Sequence, residues 1–219
     1  MVLTREMLQS GAFLEAFGDL PGQARWSLQR IDASLRATLA RRPAGPLWLY
    51  AYGSLIWNPL FHYEARQGAL LRGWQRHFCL QLLAGRASPQ TPGRMLALDA
   101  GDACAGVVFR LAESTLLDEL RLVWIREMVY GSYRPVWEPV RLDDGQDVQA
   151  LVFVADPTQA QYAVDAGVEP TARLIAAAHG PLGSNLDYLL RLDESLIEQG
   201  IRDPYVHRLA AAARELGAP

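Results

Sequence analysis

The chain has 219 residues, half of them hydrophobic and 21% charged, with a net charge of −3 and a pI near 5.8. That is a globular balance for one large domain or a domain with an extension, without the basic footprint of a nucleic-acid binder. No apolar run approaches the roughly 20 residues that span a bilayer, and no basic stretch followed by an apolar block marks a secretory leader.

Two cysteines, Cys79 and Cys104, are too few for a disulfide scaffold or a zinc–cysteine cluster, and a reducing, cytoplasmic setting is expected. All 21 basic residues are arginine. Without lysine there is no Schiff base, no pyridoxal phosphate anchor and no P-loop cation. We attribute the bias itself to genome composition rather than to function.

In chain order, residues 4–42 read as helical. Leu8, Phe13, Leu14 and Phe17 precede a break at Pro21-Gly22, and Ile31, Leu35 and Leu39 then recur every four residues. Arg41 to Pro46 form a short linker. The expected division is a helical N-terminal extension, 1–46, and a main domain, 47–217.

Strands are expected at Leu47–Tyr52, Leu70–Leu82, Met95–Leu98, Gly106–Leu111, Tyr133–Leu142 and Val148–Ala155, the last two joined by the turn Asp143-Asp144-Gly145. One helix interrupts them at about Ser114–Met128. Residues 158–217 return to helix, with Ser184 and Asp187 in a capping-box spacing and Asp203-Pro204 opening the last helix. Strands grouped centrally with helices around them give an α+β class. Many strands of modest length favour a strongly twisted or barrel-like sheet that leaves few edges open.

The helix near 114–128 carries the most informative residue. With Leu116 at zero and steps of 100°, Val123 falls at about −20°, Leu120 at about 40° and Glu127 at about 20°. Glu127 therefore lies on the apolar stripe, while Asp118, Glu119, Arg121 and Arg126 fall elsewhere. A carboxylate facing a core is costly unless paired or protonated, and burial raises its pKa toward the range of a neutral-pH acid/base. Two readings follow from the pattern: a catalytic carboxylate, or a helix-end residue paired with an arginine such as Arg134.

The stretch Tyr50-Ala51-Tyr52-Gly53-Ser54-Leu55-Ile56-Trp57 ends a strand in a Gly-Ser turn, whose backbone N–H groups can hold a carboxylate or carbonyl oxygen or can simply turn the chain. No G-x-S-x-G elbow occurs. No aspartate spacing links Ser54 with His62, His77, His179 or His207 in a triad. The histidines lack metal-site spacing, and G-x-G-x-x-G is absent.

The ordered series Tyr52–Trp57, Gly73/Arg76/Phe78, Pro92-Gly93-Arg94, Gly106–Leu111, Arg126-Glu127 with Tyr130, Gly131 and Tyr133, Tyr162, and Gly180/Gly183/Asn185/Tyr188 resembles the ChaC-like γ-glutamylcyclotransferases of the glutathione-specific branch. The resemblance covers about residues 47–190. Ala51 stands where many members have glycine, and the stretch after Glu127 is longer than the Gly-Gly-Tyr form of animal members. The resemblance implies a small mixed β-barrel with flanking helices. It implies Glu127 as the catalytic acid/base, and a substrate site formed by Leu49, Tyr50, Ala51, Tyr52, Gly53, Ser54, Leu55 and Tyr162.

The implied reaction cyclises the γ-glutamyl group of glutathione to 5-oxoproline and releases cysteinylglycine. It calls for no metal, no organic cofactor, no nucleic acid, no membrane and no obligate protein partner. The alternatives are a cyclotransferase for other γ-glutamyl amines, or a binding module of the cation-transport-regulator kind. Arg76, Arg94 and Arg134 are each candidates for the distal carboxylate or for structural ion pairs.

Overall fold

The computed structural model describes residues 3–20, 23–164 and 166–217. The expected break at Pro21-Gly22 lies outside the described residues. The chain divides into two compact units, one made of Leu3–Gln75 with Leu98–Asp156 and the other of Arg76–Ala97 with 157–217.

The first unit holds a closed five-stranded barrel. Its strands are β1 (Trp48–Ala51), β2 (Ala65–Leu82), β3 (Gly93–Arg110), β4 (Tyr133–Leu142) and β5 (Asp147–Ala155), in the order β1-β3-β2-β4-β5. The C-terminal part of β2 and the N-terminal part of β3 extend into the second unit. Strand β1 pairs antiparallel with β3, Trp48 opposite Arg110 through Ala51 opposite Val107, and parallel with β5. The β4–β5 hairpin turns at Gly145, whose φ of 86° is the left-handed value that glycine adopts without cost.

All four residues of β1 and the run Ala150–Ala155 of β5 are buried, as continuous apolar strands covered on both faces should be. Helices α1 (Arg5–Ser10), α2 (Ala12–Glu15), α3 (Leu28–Leu39) and α4 (Leu116–Glu127) complete the unit. Trp124 of α4 meets Phe153 of β5 edge-on at 4.9 Å, and each such buried apolar side chain contributes about 1.5–3 kcal/mol.

The α+β barrel expected from the sequence is the one that forms. Several details differ: β2 begins at Ala65, five residues earlier than expected, and the short strands at 179–180 and 183–184 interrupt the helices expected over 158–217. The N-terminal region is helical only in pieces, because Gly11 takes a φ of 83° between α1 and α2, and residues 23–27 lead into α3 as non-helical chain. The two strands expected at 95–98 and 106–111 are one strand, β3. Its middle residues, Asp99 to Ala103, are exposed or half-exposed and lose the apolar alternation while the strand continues past Gln75, which a Cβ at Gly101 would meet at 2.3 Å. In α4, Leu117, which lies 100° from Leu116 on the wheel, is exposed. Conversely, Leu122, Ile125 and the charged Glu119 are buried, because this helix is covered on more than one face.

In the second unit, α5 (Val168–Ala177), α6 (Asn185–Glu198) and α7 (Pro204–Gly217) accompany the two-residue strands β6 (His179–Gly180) and β7 (Gly183–Ser184). Both expected helix starts hold. Ser184 Oγ accepts from the Asp187 N–H at 2.9 Å, and Asp203 Oδ1 from the Val206 N–H at 3.0 Å. Gly180 admits no side chain, since a Cβ there would sit 2.4 Å from the Gly85 carbonyl.

Candidate active site

The stretch expected to bind substrate begins inside the barrel wall. Leu49, Tyr50 and Ala51 belong to β1 and are 1% exposed or less. The Tyr50 hydroxyl donates to the Cys104 carbonyl at 2.6 Å. Gly106 makes this possible: a Cβ there would lie 2.6 Å from both the Ala51 carbonyl oxygen and the Tyr50 hydroxyl. Tyr52 is nearly buried, and the chain then turns through Gly53, Ser54 and Leu55. In this turn Ile56 N–H bonds to the Gly53 carbonyl at 2.9 Å and Asn58 N–H to the Ser54 carbonyl at 3.0 Å.

Among the described residues, the N–H groups of Gly53, Ser54 and Leu55 have no protein acceptor. Consecutive unpaired N–H groups in a turn form a concave donor site for an anionic or carbonyl oxygen. A buried donor such as that of Gly53 requires some partner.

Glu127 ends α4, with 16% of its side chain exposed. Its apolar neighbours on the helix, Leu120, Val123 and Trp124, are buried. Desolvation raises its pKa above the ordinary carboxylate value, and the Arg126 guanidinium, with Nε 3.3 Å from Oε1, opposes that rise only in part. The partner of Glu127 is thus Arg126. Arg134, the arginine suggested by the sequence, is exposed on β4.

Arg126 was visible in the sequence only as a neighbour of Glu127. Its Nη2 donates to Ser54 Oγ at 2.7 Å and its Nη1 to the Asn58 carbonyl. One guanidinium therefore fastens the Gly-Ser turn to the end of α4 beside the carboxylate. The planar fork of arginine suits this task better than an ammonium would. No local period could reveal it, since the partners lie 72 and 68 residues away.

Tyr162 belongs to the second unit, bridged to Leu80 of β2, with its own N–H bonded to the Gln159 carbonyl at 3.0 Å. Of the three arginines considered for a distal carboxylate, Arg76 is 4% exposed and pairs with Asp203 at 3.0 Å. Arg94 lies at the start of β3, and its N–H donates to the Asn185 side-chain oxygen at 2.8 Å. A Cβ at the neighbouring Gly93 would meet that same Asn185 oxygen at 2.4 Å, so Gly93 lets Asn185 pack against the start of β3. Among the described residues no group of three His, Cys, Asp or Glu side chains is placed to hold a metal ion, and no helix is long and apolar enough to cross a membrane.

Residues 47–216 match the model of the ChaC-like protein family. The chain is 44% identical over 216 residues to the glutathione-specific γ-glutamylcyclotransferase of Escherichia coli K12, a match covering 98% of this chain and 94% of that one. It is 34% identical over 172 residues to glutathione-specific γ-glutamylcyclotransferase 1 of Danio rerio, covering 76% and 88%. In three dimensions it resembles a yeast γ-glutamyl cyclotransferase specific to glutathione with a TM-score of 0.72, over 78% of this chain and 97% of that one. At 21% identity that likeness speaks for the fold.

Proposed function

We infer the function from one premise: this chain belongs to the ChaC-like protein family. It is an enzyme that degrades glutathione as a γ-glutamylcyclotransferase. The observation that carries this reading is a desolvated carboxylate, Glu127, joined through Arg126 to a turn with three unpaired backbone donors.

The substrate supplies its own nucleophile. The α-amine of the γ-glutamyl group attacks the γ-carbonyl, the new N–C bond closes a five-membered ring, and the amide C–N bond to cysteine breaks. The products are 5-oxoproline and cysteinylglycine. No activated serine, cysteine or lysine is needed, in keeping with a lysine-free chain. Glu127 takes a proton from the α-ammonium and returns it to the departing amine nitrogen. A carboxyl group whose pKa has moved toward neutrality serves both transfers, a contribution of about 10²–10⁴-fold.

Leu49, Tyr50, Ala51 and Tyr52 form the rigid strand end that carries Gly53, Ser54 and Leu55. The N–H groups of that turn receive the substrate α-carboxylate or the oxyanion that develops on the γ-carbonyl; Tyr162 is assigned to substrate binding on the family resemblance alone. Holding the γ-glutamyl chain folded for attack is worth several kcal/mol, about 7 or more in well-oriented systems. Arg126 touches no reacting atom in this scheme; it positions the turn. Cys79 and Cys104 are both buried and form no disulfide, which suits a reducing, cytoplasmic setting.

The test is incubation of the purified protein with glutathione and mass spectrometry for 5-oxoproline and cysteinylglycine, with Glu127→Gln alongside. Product from the wild type and loss in the variant are expected. A folded wild type that yields neither product would remove glutathione as the substrate. A fully active Glu127→Gln would remove the carboxylate from the mechanism.

A further inference from the structure

The turn that offers its N–H groups is held from the other side by the very start of the described chain, ahead of the segment that the family model covers. Arg5 opens α1. Its Nη1 donates to the Leu60 carbonyl at 3.1 Å and to Glu119 Oε2 at 2.6 Å, and its Nη2 donates to Glu119 Oε1 at 2.8 Å. Glu119, 2% exposed, also accepts the His62 N–H at 2.9 Å. Two residues before Arg5, the Leu3 carbonyl accepts from the Asn58 side-chain amide at 3.3 Å. The Asn58 main-chain carbonyl is the one bonded by Arg126.

The segment 58–62, which continues directly from the Gly53–Trp57 turn, is thus fixed at four points: Asn58 twice, Leu60 and His62. Leu60 itself has a φ of 57°, the one positive value among the described non-glycine residues. A leucine in the left-handed region is strained and persists only where its surroundings impose it. The Arg5 bond to its carbonyl is one such imposition.

We propose that Arg5, through its fork onto Glu119 and the Leu60 carbonyl, is a positioning residue for the substrate-binding turn. The N-terminal segment is then a working part of the γ-glutamyl site. This rests on the reading of Gly53–Leu55 as the site that receives the substrate. Arg5 touches no substrate. It fixes the strained 58–62 segment, and so the spacing between the three turn donors and the carboxylate that Arg126 links to them. Loosening it weakens substrate binding more than the proton transfers, which belong to Glu127.

Two variants separate positioning from folding. Arg5→Lys keeps a cation for Glu119 but cannot fork onto both acceptors. Arg5→Gln with Glu119→Gln removes both charges, so that no buried ion is left unpaired. Each is examined by hydrogen–deuterium exchange of peptides spanning 53–62 and spanning β4–β5, and by KM and kcat for glutathione.

The expected result is faster exchange confined to 53–62, with KM raised about 5–10-fold and kcat changed by less than about threefold. Wild-type exchange at 53–62 and wild-type KM in both variants would overturn the proposal. So would exchange that rises equally in β4–β5, the mark of general destabilisation. Should the wild type fail to turn over glutathione, the exchange arm still decides whether Arg5 holds the turn. Only the substrate reading then falls.

Discussion

Glu119 and Glu127 stand on one helix about two turns apart, both are enclosed, and their surroundings push them in opposite directions. Glu119 receives two N–H donors from Arg5 and one from His62. These bonds overcome its desolvation and hold its pKa below the ordinary carboxylate value. Glu127 has one neighbouring cation at 3.3 Å, and desolvation wins, so its pKa is raised. Burial alone therefore does not make a carboxylate chemically useful; the number of donors aimed at it decides. The satisfied glutamate ties down the framework, while the under-satisfied one is poised to exchange a proton.

Turnover separates the two glutamates most widely. Glu127→Gln should lower the rate of 5-oxoproline formation by about 10²–10⁴-fold, whereas Glu119→Gln should cost chiefly KM. Equal losses in kcat at the two positions would erase the distinction.

Next in size is stability. Glu119→Ala leaves the Arg5 guanidinium and the His62 N–H without their acceptor, and should destabilise by about 2–4 kcal/mol in urea unfolding at neutral pH, the partial exposure of Arg5 tempering the cost. Glu127→Gln removes a poorly compensated charge and should raise stability by about 1 kcal/mol in the same measurement. A loss there would mean that the carboxylate is held by more than Arg126.

The smallest effect is the dependence on pH, and its sign differs between the two. The lowered pKa of Glu119 gives stability that is present above the ordinary carboxylate pKa, about 4.3, and is lost as pH falls through the folded value. For Glu127, between the ordinary value and the raised one the folded protein holds a proton that the unfolded chain has released. Stability therefore falls as pH rises through that window. Thermal midpoints measured from about pH 3 to about pH 8 should show a smaller acid-side loss in Glu119→Gln and a smaller rising-pH loss in Glu127→Gln. The acid limb of kcat/KM should lie above the ordinary carboxylate range.

What the sequence made legible, and what it hid, divides along the same line. Glu127 could be found because it interrupts an apolar stripe, and the wheel needs only local spacing. The same wheel set Glu119 among the solvated charges, because it assumes that a helix buries one face. In fact α4 also buries Leu122 and Ile125. The strands of the β4–β5 hairpin were readable almost to the residue from their alternation and turn, while β3 was read as two pieces where its middle turns polar. The donors that separate the two glutamates could not be read at all. Arg5 reaches Glu119 across 114 residues and Arg126 reaches Ser54 across 72, and such pairings exist only once the chain has folded.

The boundaries of the two compact units fall within strands: between Gln75 and Arg76 in β2, and between Ala97 and Leu98 in β3. A cut at either point would sever a β-ladder rather than a linker. Neither unit is thus a cassette that recombination or a cloning junction could lift out whole. Grafted insertions and circular permutants belong instead at an exposed turn such as Asp144–Gln146, between the ends of β4 and β5.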